Sequence, residues 1–110
     1  IEVTAAVIRR NGHFLICRRP EGKSCAGLWE FPNVPGHLTP EAALRQAEAW
    51  GVHPQELEGE MRRSHIFTHV EWDMKCYRVN CTKMPELFTW ADITEIKEQY
   101  ALPTAFRKFL

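Results

Sequence analysis

This chain has no surplus of either charge, no cysteine pattern that could grip a metal, and no apolar run long enough to cross a bilayer. Its 110 residues carry 14 Lys and Arg against 14 Asp and Glu, so the formal net charge is zero. That excludes a global field drawing in a polyanion, and any contact with nucleic acid must come from local clustering. The pairs Arg9-Arg10, Arg18-Arg19, Arg62-Arg63 and Arg107-Lys108 are the places to look. Cys17, Cys25, Cys76 and Cys81 form no Cys-x-x-Cys pair and have no His at zinc-finger distance, which excludes a structural metal finger and leaves free thiols. Cys17 and Cys76 fall inside apolar runs, where a thiol behaves as a small hydrophobe. With neither a leader peptide nor a spanning segment, the expected setting is cytoplasmic, with no membrane partner. The chain opens at Ile1-Glu2-Val3, inside a strand pattern and without Met, which reads as a piece cut from a longer protein.

What is present suits one compact domain over residues 1–110, since 45% of the side chains are hydrophobic and 11% aromatic. Apolar runs at 2–9 and 13–19, joined by Asn11-Gly12, predict an antiparallel hairpin. A loop over 20–26 leads to a short strand at Leu28-Trp29-Glu30-Phe31, closed by Pro32, and Asn33-Val34-Pro35-Gly36 reads as a turn. Thr39 as cap, Pro40 in the first turn and Gly51 at the exit bound a helix with Ala43, Ala47 and Trp50 inward and Leu44 beside them. Residues 64 to 80 read as one or two strands. Asp92 and Glu95 have capping-box spacing, and Pro103 opens a last helix with Phe106, Phe109 and Leu110 inward. The fold class is α+β, in two or three layers.

The frame from Gly27 to Val52 resembles Nudix hydrolases, whose metal-binding helix follows Arg-Glu-apolar-x-Glu-Glu-x-Gly-apolar. On Leu44-Arg45-Gln46-Ala47-Glu48-Ala49-Trp50-Gly51-Val52, only Glu48, Gly51 and the apolar Val52 match. Positions 45, 48 and 49 share one helix face, where three acids could converge on a cation. Magnesium needs carboxylate and phosphate oxygens, and this face offers one carboxylate beside a guanidinium, with which it is expected to pair. No metal and no catalytic residue are therefore expected in this chain.

Three further segments, Trp29-Glu30-Phe31-Pro32, Phe67-Thr68-His69 and Ala101-Leu102-Pro103, resemble in order the C-terminal domain of MutY-type adenine DNA glycosylases. The resemblance covers essentially the whole chain. It implies a Nudix-like fold, with a mixed β-sheet packed between α-helices, that recognises 8-oxoguanine opposite adenine for a parent base-excision repair enzyme. The glycosidic chemistry and an iron–sulfur cluster would belong to the parent's N-terminal domain, with no cofactor in this chain. The implied partners are double-stranded DNA containing 8-oxoguanine:adenine mispairs and that N-terminal catalytic domain. The protein would be a monomer, in the bacterial cytoplasm and on the nucleoid when bound.

8-Oxoguanine differs from guanine by a C8 carbonyl and an N7 proton, and the Thr68 hydroxyl can donate or accept at that edge. Phe67 is expected as a wedge or stacking surface, His69 as a loop support or phosphate contact, and Arg62 and Arg63 as DNA contacts. Trp29 and Trp72 read as packing residues. Two rivals compete with this reading. One is a stand-alone Nudix hydrolase acting on an oxidised purine nucleotide, which would draw on Glu48. The other is a sliding-clamp-binding module built on Gln99, Leu102 and Phe106.

Overall fold

The computed structural model describes residues 1–22, 27–67 and 69–110. Strands β1 (Glu2–Arg10) and β2 (His13–Arg18) form the expected hairpin, and Asn11 and Gly12 supply the positive φ angles, 51° and 74°, that its tight turn requires. The pairing is confined to the turn end, Arg9 with Phe14 and Arg10 with His13. Farther along, β4 (Asn33–Pro35) takes the place beside β1, antiparallel from Val3 to Ala5. The expected turn at 33–36 is thus a short strand followed by a turn at Gly36. Its proline hid it, since Pro is tolerated in a strand only at edges and ends. Strand β2 diverges to pair with β3 (Trp29–Glu30) on one side and β7 (Thr89–Asp92) on the other.

Helix α1 (Pro40–Trp50) has the boundaries its sequence encodes. The Thr39 side chain accepts from Ala42 N, Pro40 stands at the start, and Gly51 leaves with φ 98°. A cap of this kind stabilises a helix by roughly 1 kcal/mol. Ala43 and Ala47 are the buried stripe.

The largest departure follows α1. Strand β5 runs from Pro54 to Phe67, and β6 from Val70 to Cys81, antiparallel to each other. The first ten residues of β5 gave no strand signal because they are rich in Glu and include Gly59, residues poor in β propensity. As the edge strand of the order β3-β2-β1-β6-β5, β5 is mostly exposed, and its charges and its bulges at Pro54/Glu56 and Leu57/Gly59 discourage further pairing. Strand β6 pairs parallel with β1, so the sheet is mixed.

Helix α2 (Ile93–Glu98) starts with the reciprocal Asp92–Glu95 capping box, and α3 (Thr104–Arg107) follows Pro103. Phe106 and Phe109 are buried as expected, but Leu110 is exposed, because α3 ends three residues before it and its inner face cannot extend that far.

Alternation along β1 and β6 divides the core into two. Val3, Ala5, Val7, Trp72, Met74 and Cys76 meet Phe31, Ile96 and Phe106 on the α2/α3 side. Ala6, Ile8, Tyr77, Val79 and Cys81 meet Ala43 and Ala47 on the α1 side. Full burial of each large apolar side chain stabilises by roughly 1.5–3 kcal/mol. The sheet is held between helices, as the fold class predicts.

Candidate functional site

Helix α1 carries the test of the metal chemistry. Arg45, Glu48 and Ala49 are all exposed and lie on one face, so these three positions offer a single carboxylate; the other acid of the helix, Glu41, is exposed in its first turn, two turns before Glu48. The expected ion pair between Arg45 and Glu48 is not formed; both side chains are solvated, where a helical pair contributes only a few tenths of a kcal/mol, about 0.3–0.5, against the entropy of fixing two long side chains. Among the described residues, two triads bring metal-ligating atoms within 4.8 Å of one another, Glu2/His37/Asp73 and His13/Asp92/Glu95, and neither includes α1. The first already holds a cation: Arg62 Nη2 lies 2.9 Å from His37 Nδ1 and 3.3 Å from Asp73 Oδ2. In the second, both carboxylates are committed to the cap of α2. At positions 45, 48 and 49, α1 offers a divalent ion one carboxylate beside a guanidinium.

The β5–β6 hairpin places Phe67 opposite Val70, with only Thr68 and His69 between them. Thr68, the expected base-edge residue, lies outside the described residues. His69 is exposed at the tip. Phe67 is half-buried, its ring 4.7 Å from Trp72 and 4.6 Å from His65, so it is braced against the core. The open apolar groups at the tip are Ile66 and Val70, 66% and 42% exposed.

Arg62 and Arg63 do not act as a pair. Neighbours on a strand point to opposite faces, and here Arg62 joins His37 and Asp73 while Arg63 turns to the Met61 sulfur, 3.8 Å away. The other strand pairs split likewise: Arg9 meets Glu58, Arg10 Nη1 donates to the Cys81 carbonyl, and Arg18 lies over Trp29. Arg19 is buried against Glu30. Sequence reasoning passed over Arg78, which reaches the same Met61 sulfur from β6 at 3.8 Å, because it has no basic neighbour in sequence. Only the unread register of β5 could have revealed it.

The three segments that carry the MutY resemblance are joined in space. Trp29 N donates to the Ala101 carbonyl at 3.2 Å, and the Trp29 and Tyr100 rings meet edge-on at 4.9 Å. Phe31 and Trp72 both meet Phe106 edge-on, at 6.4 and 6.3 Å, and Trp72 carries Phe67. Trp29 and Trp72 are packing residues, as read from the sequence. One aromatic chain thus runs from the Trp-Glu-Phe-Pro strand through the last helix to the hairpin tip.

On the α1 side an open cavity of about 210 Å³ is lined by Leu15, Cys17, Glu30, Asn33, Trp50 and Phe88. Its thiol is inert: burial, then the Glu30 carboxylate, push Cys17 up to about 12. Its walls are mostly apolar, and of its polar groups Asn33 Nδ2 donates to the Phe31 carbonyl at 2.8 Å and Glu30 is paired with Arg19.

Residues 3–110 match the family model described as a NUDIX domain, and the chain belongs to that family. It is 47% identical over 47 residues to the CTP pyrophosphohydrolase of Escherichia coli (strain K12), a stretch covering 43% of this chain and 33% of that protein, so the chain spans about a third of that relative's length. Among solved structures, the MutT protein from Methanosarcina mazei Go1 superposes with TM-score 0.66 at 24% identity, covering 99% of this chain and 88% of that one. The E. coli ORF135 protein superposes with TM-score 0.62 at 22% identity, covering 94% and 81%. At such identities the structural likeness speaks for the fold alone.

Proposed function

We propose that this chain reads an oxidised purine in duplex DNA and cleaves no nucleotide, acting as the lesion-recognition domain of a MutY-type adenine DNA glycosylase. The observation that carries the proposal is the last two turns of α1, where Glu48 stands between Arg45 and Ala49 and the nearest other acid of the helix, Glu41, is two turns away. Phosphoanhydride hydrolysis of the Nudix type needs a divalent ion held there, and one carboxylate beside a guanidinium is a poor cage for it. The finer assignment draws support from the aromatic chain that joins Phe31 of the Trp-Glu-Phe-Pro segment to Phe67 through Phe106 and Trp72, and from the backbone bond of Trp29 to Ala101.

The test is duplex binding by the chain itself. It should bind an 8-oxoguanine:adenine duplex in preference to a guanine:adenine duplex, weakly, since a neutral domain releases few counterions. Thr68→Ala should lower the preference more than the affinity, because base-edge contacts specify and phosphate contacts position. Equal binding of both duplexes by the unaltered chain would refute the reading.

A second reading is favoured by the likeness to a CTP pyrophosphohydrolase. Here the chain is a nucleotide hydrolase, with the base between Trp50 and Phe88 in the cavity and Glu48 as its remaining acid. It requires magnesium-dependent pyrophosphate release that Glu48→Gln abolishes.

A further inference from the structure

The β5–β6 hairpin sorts its cations onto two faces with opposite fates. On the α1 side each has a carboxylate: Arg62 lies 3.3 Å from Asp73, and Lys75 lies 3.6 Å from Glu60. On the α3 side, Arg63 and Arg78 each bring Nη2 to 3.8 Å from Met61 Sδ, so two guanidinium groups from neighbouring strands converge on one uncharged atom. The fields of both reach the buried Cys76 thiol beneath them. Farther toward the tip, Lys108 Nζ donates to the Ser64 carbonyl at 2.7 Å on the outer edge of β5. Its charge, after burial, also lowers the pKa of His65. Among the described residues, no carboxylate stands within ion-pair distance of Arg63, Arg78 or Lys108.

In a chain with no net charge, three cations gathered without a counter-ion leave a local repulsion that a bound anion would offset. The Arg63 and Arg78 guanidinium groups meet over Met61, and Lys108 touches Ser64, so the charges are strung along roughly 10 Å of strand at about 3.3 Å per residue. A single small anion cannot meet them all, whereas the regularly spaced charges of a DNA backbone can. The array also leads directly into the Phe67–Val70 tip.

We propose that Arg63, Arg78 and Lys108 form the surface on which this chain meets the phosphate backbone of duplex DNA, and that Arg62 takes no part. This rests on the DNA-reading function proposed above. The experiment is fluorescence anisotropy with labelled duplexes holding one 8-oxoguanine:adenine or one guanine:adenine pair, across a salt series. It compares the unaltered chain with R63Q/R78Q, K108Q and R62Q, and circular dichroism checks each fold. R63Q/R78Q and K108Q should weaken both duplexes alike and flatten the salt slope by about one for each cation removed, with lesion preference intact. R62Q should leave the slope unchanged.

An unaltered slope in both R63Q/R78Q and K108Q, or an equal change in R62Q, overturns the surface. Lesion preference with an unmoved slope defeats the surface alone, and a flattened slope without lesion preference defeats the lesion-reading function alone. If the unaltered chain binds no duplex, both fall.

Discussion

Arg19 donates from Nη1 to Glu30 Oε2 at 2.7 Å, with both side chains sealed from water, and the Arg19 guanidinium lies 5.2 Å from the centre of the Trp72 ring. The acid of the Trp-Glu-Phe-Pro segment is therefore a fastener between β2, β3 and the aromatic chain that braces the tip. Arg19→Met takes the ion-pair partner from the buried Glu30 carboxylate and should cost roughly 3–5 kcal/mol, read as a lower urea midpoint. A loss under about 1 kcal/mol would mean that the pair behaves as a surface contact.

Thr4 fastens the approach to α1 by a different chemistry. Its hydroxyl donates to the Gly36 carbonyl at 2.6 Å and accepts from Leu38 N at 2.9 Å. Thr4→Val keeps the shape and leaves both backbone groups without that partner, so a destabilisation of about 1–3 kcal/mol is expected in denaturant melts. Stability equal to the unaltered chain would show that water replaces the hydroxyl.

The hairpin, the caps of α1 and the capping box of α2 were legible because each depends on local chemistry: Asn11-Gly12 for positive φ, Thr39 and Gly51 for helix ends, Asp92 and Glu95 for reciprocal bonds. The first half of β5 was not legible, since an edge strand with acidic, alternately exposed residues carries little apolar signal. Missing it also concealed the register, and with it the fact that Arg62 and Arg63 serve different faces while Arg63 and Arg78 share one. Of the site, the missing acids were plain at residues 45 and 49 beside the retained Glu48, whereas the convergence of Phe31 and Phe67 through Trp72 and Phe106 is a property of packing alone.

Alkaline pH should loosen the fold through a buried thiol. Cys76 is fully buried, and burial pushes its pKa from the ordinary 9.0 to about 12. Below pH 9.0 both states keep the proton, and the thiol adds no pH dependence. Between 9.0 and about 12 the unfolded chain releases the proton while the native state retains it, so stability falls as pH rises. Urea midpoints at about pH 8 and about pH 10.5 should drop more for the unaltered chain than for Cys76→Ala. Equal drops would remove Cys76 as a cause.

Restoring the acids should restore a cation site. Arg45→Glu with Ala49→Glu puts three carboxylates on one exposed face of α1 with Glu48, and calorimetric titration with magnesium should show a saturable site in the double variant. Equally tight binding by the unaltered chain would mean that Glu48 has ligands from elsewhere in the protein.

The most direct measurement is pyrophosphate release from CTP and from 8-oxoguanosine triphosphate, with magnesium in excess, by the unaltered chain and by Glu48→Gln. One carboxylate among positions 45, 48 and 49, beside an arginine, predicts no release above the uncatalysed rate from either protein. Release by the unaltered chain that disappears in Glu48→Gln would contradict the account and establish a nucleotide hydrolase in its place.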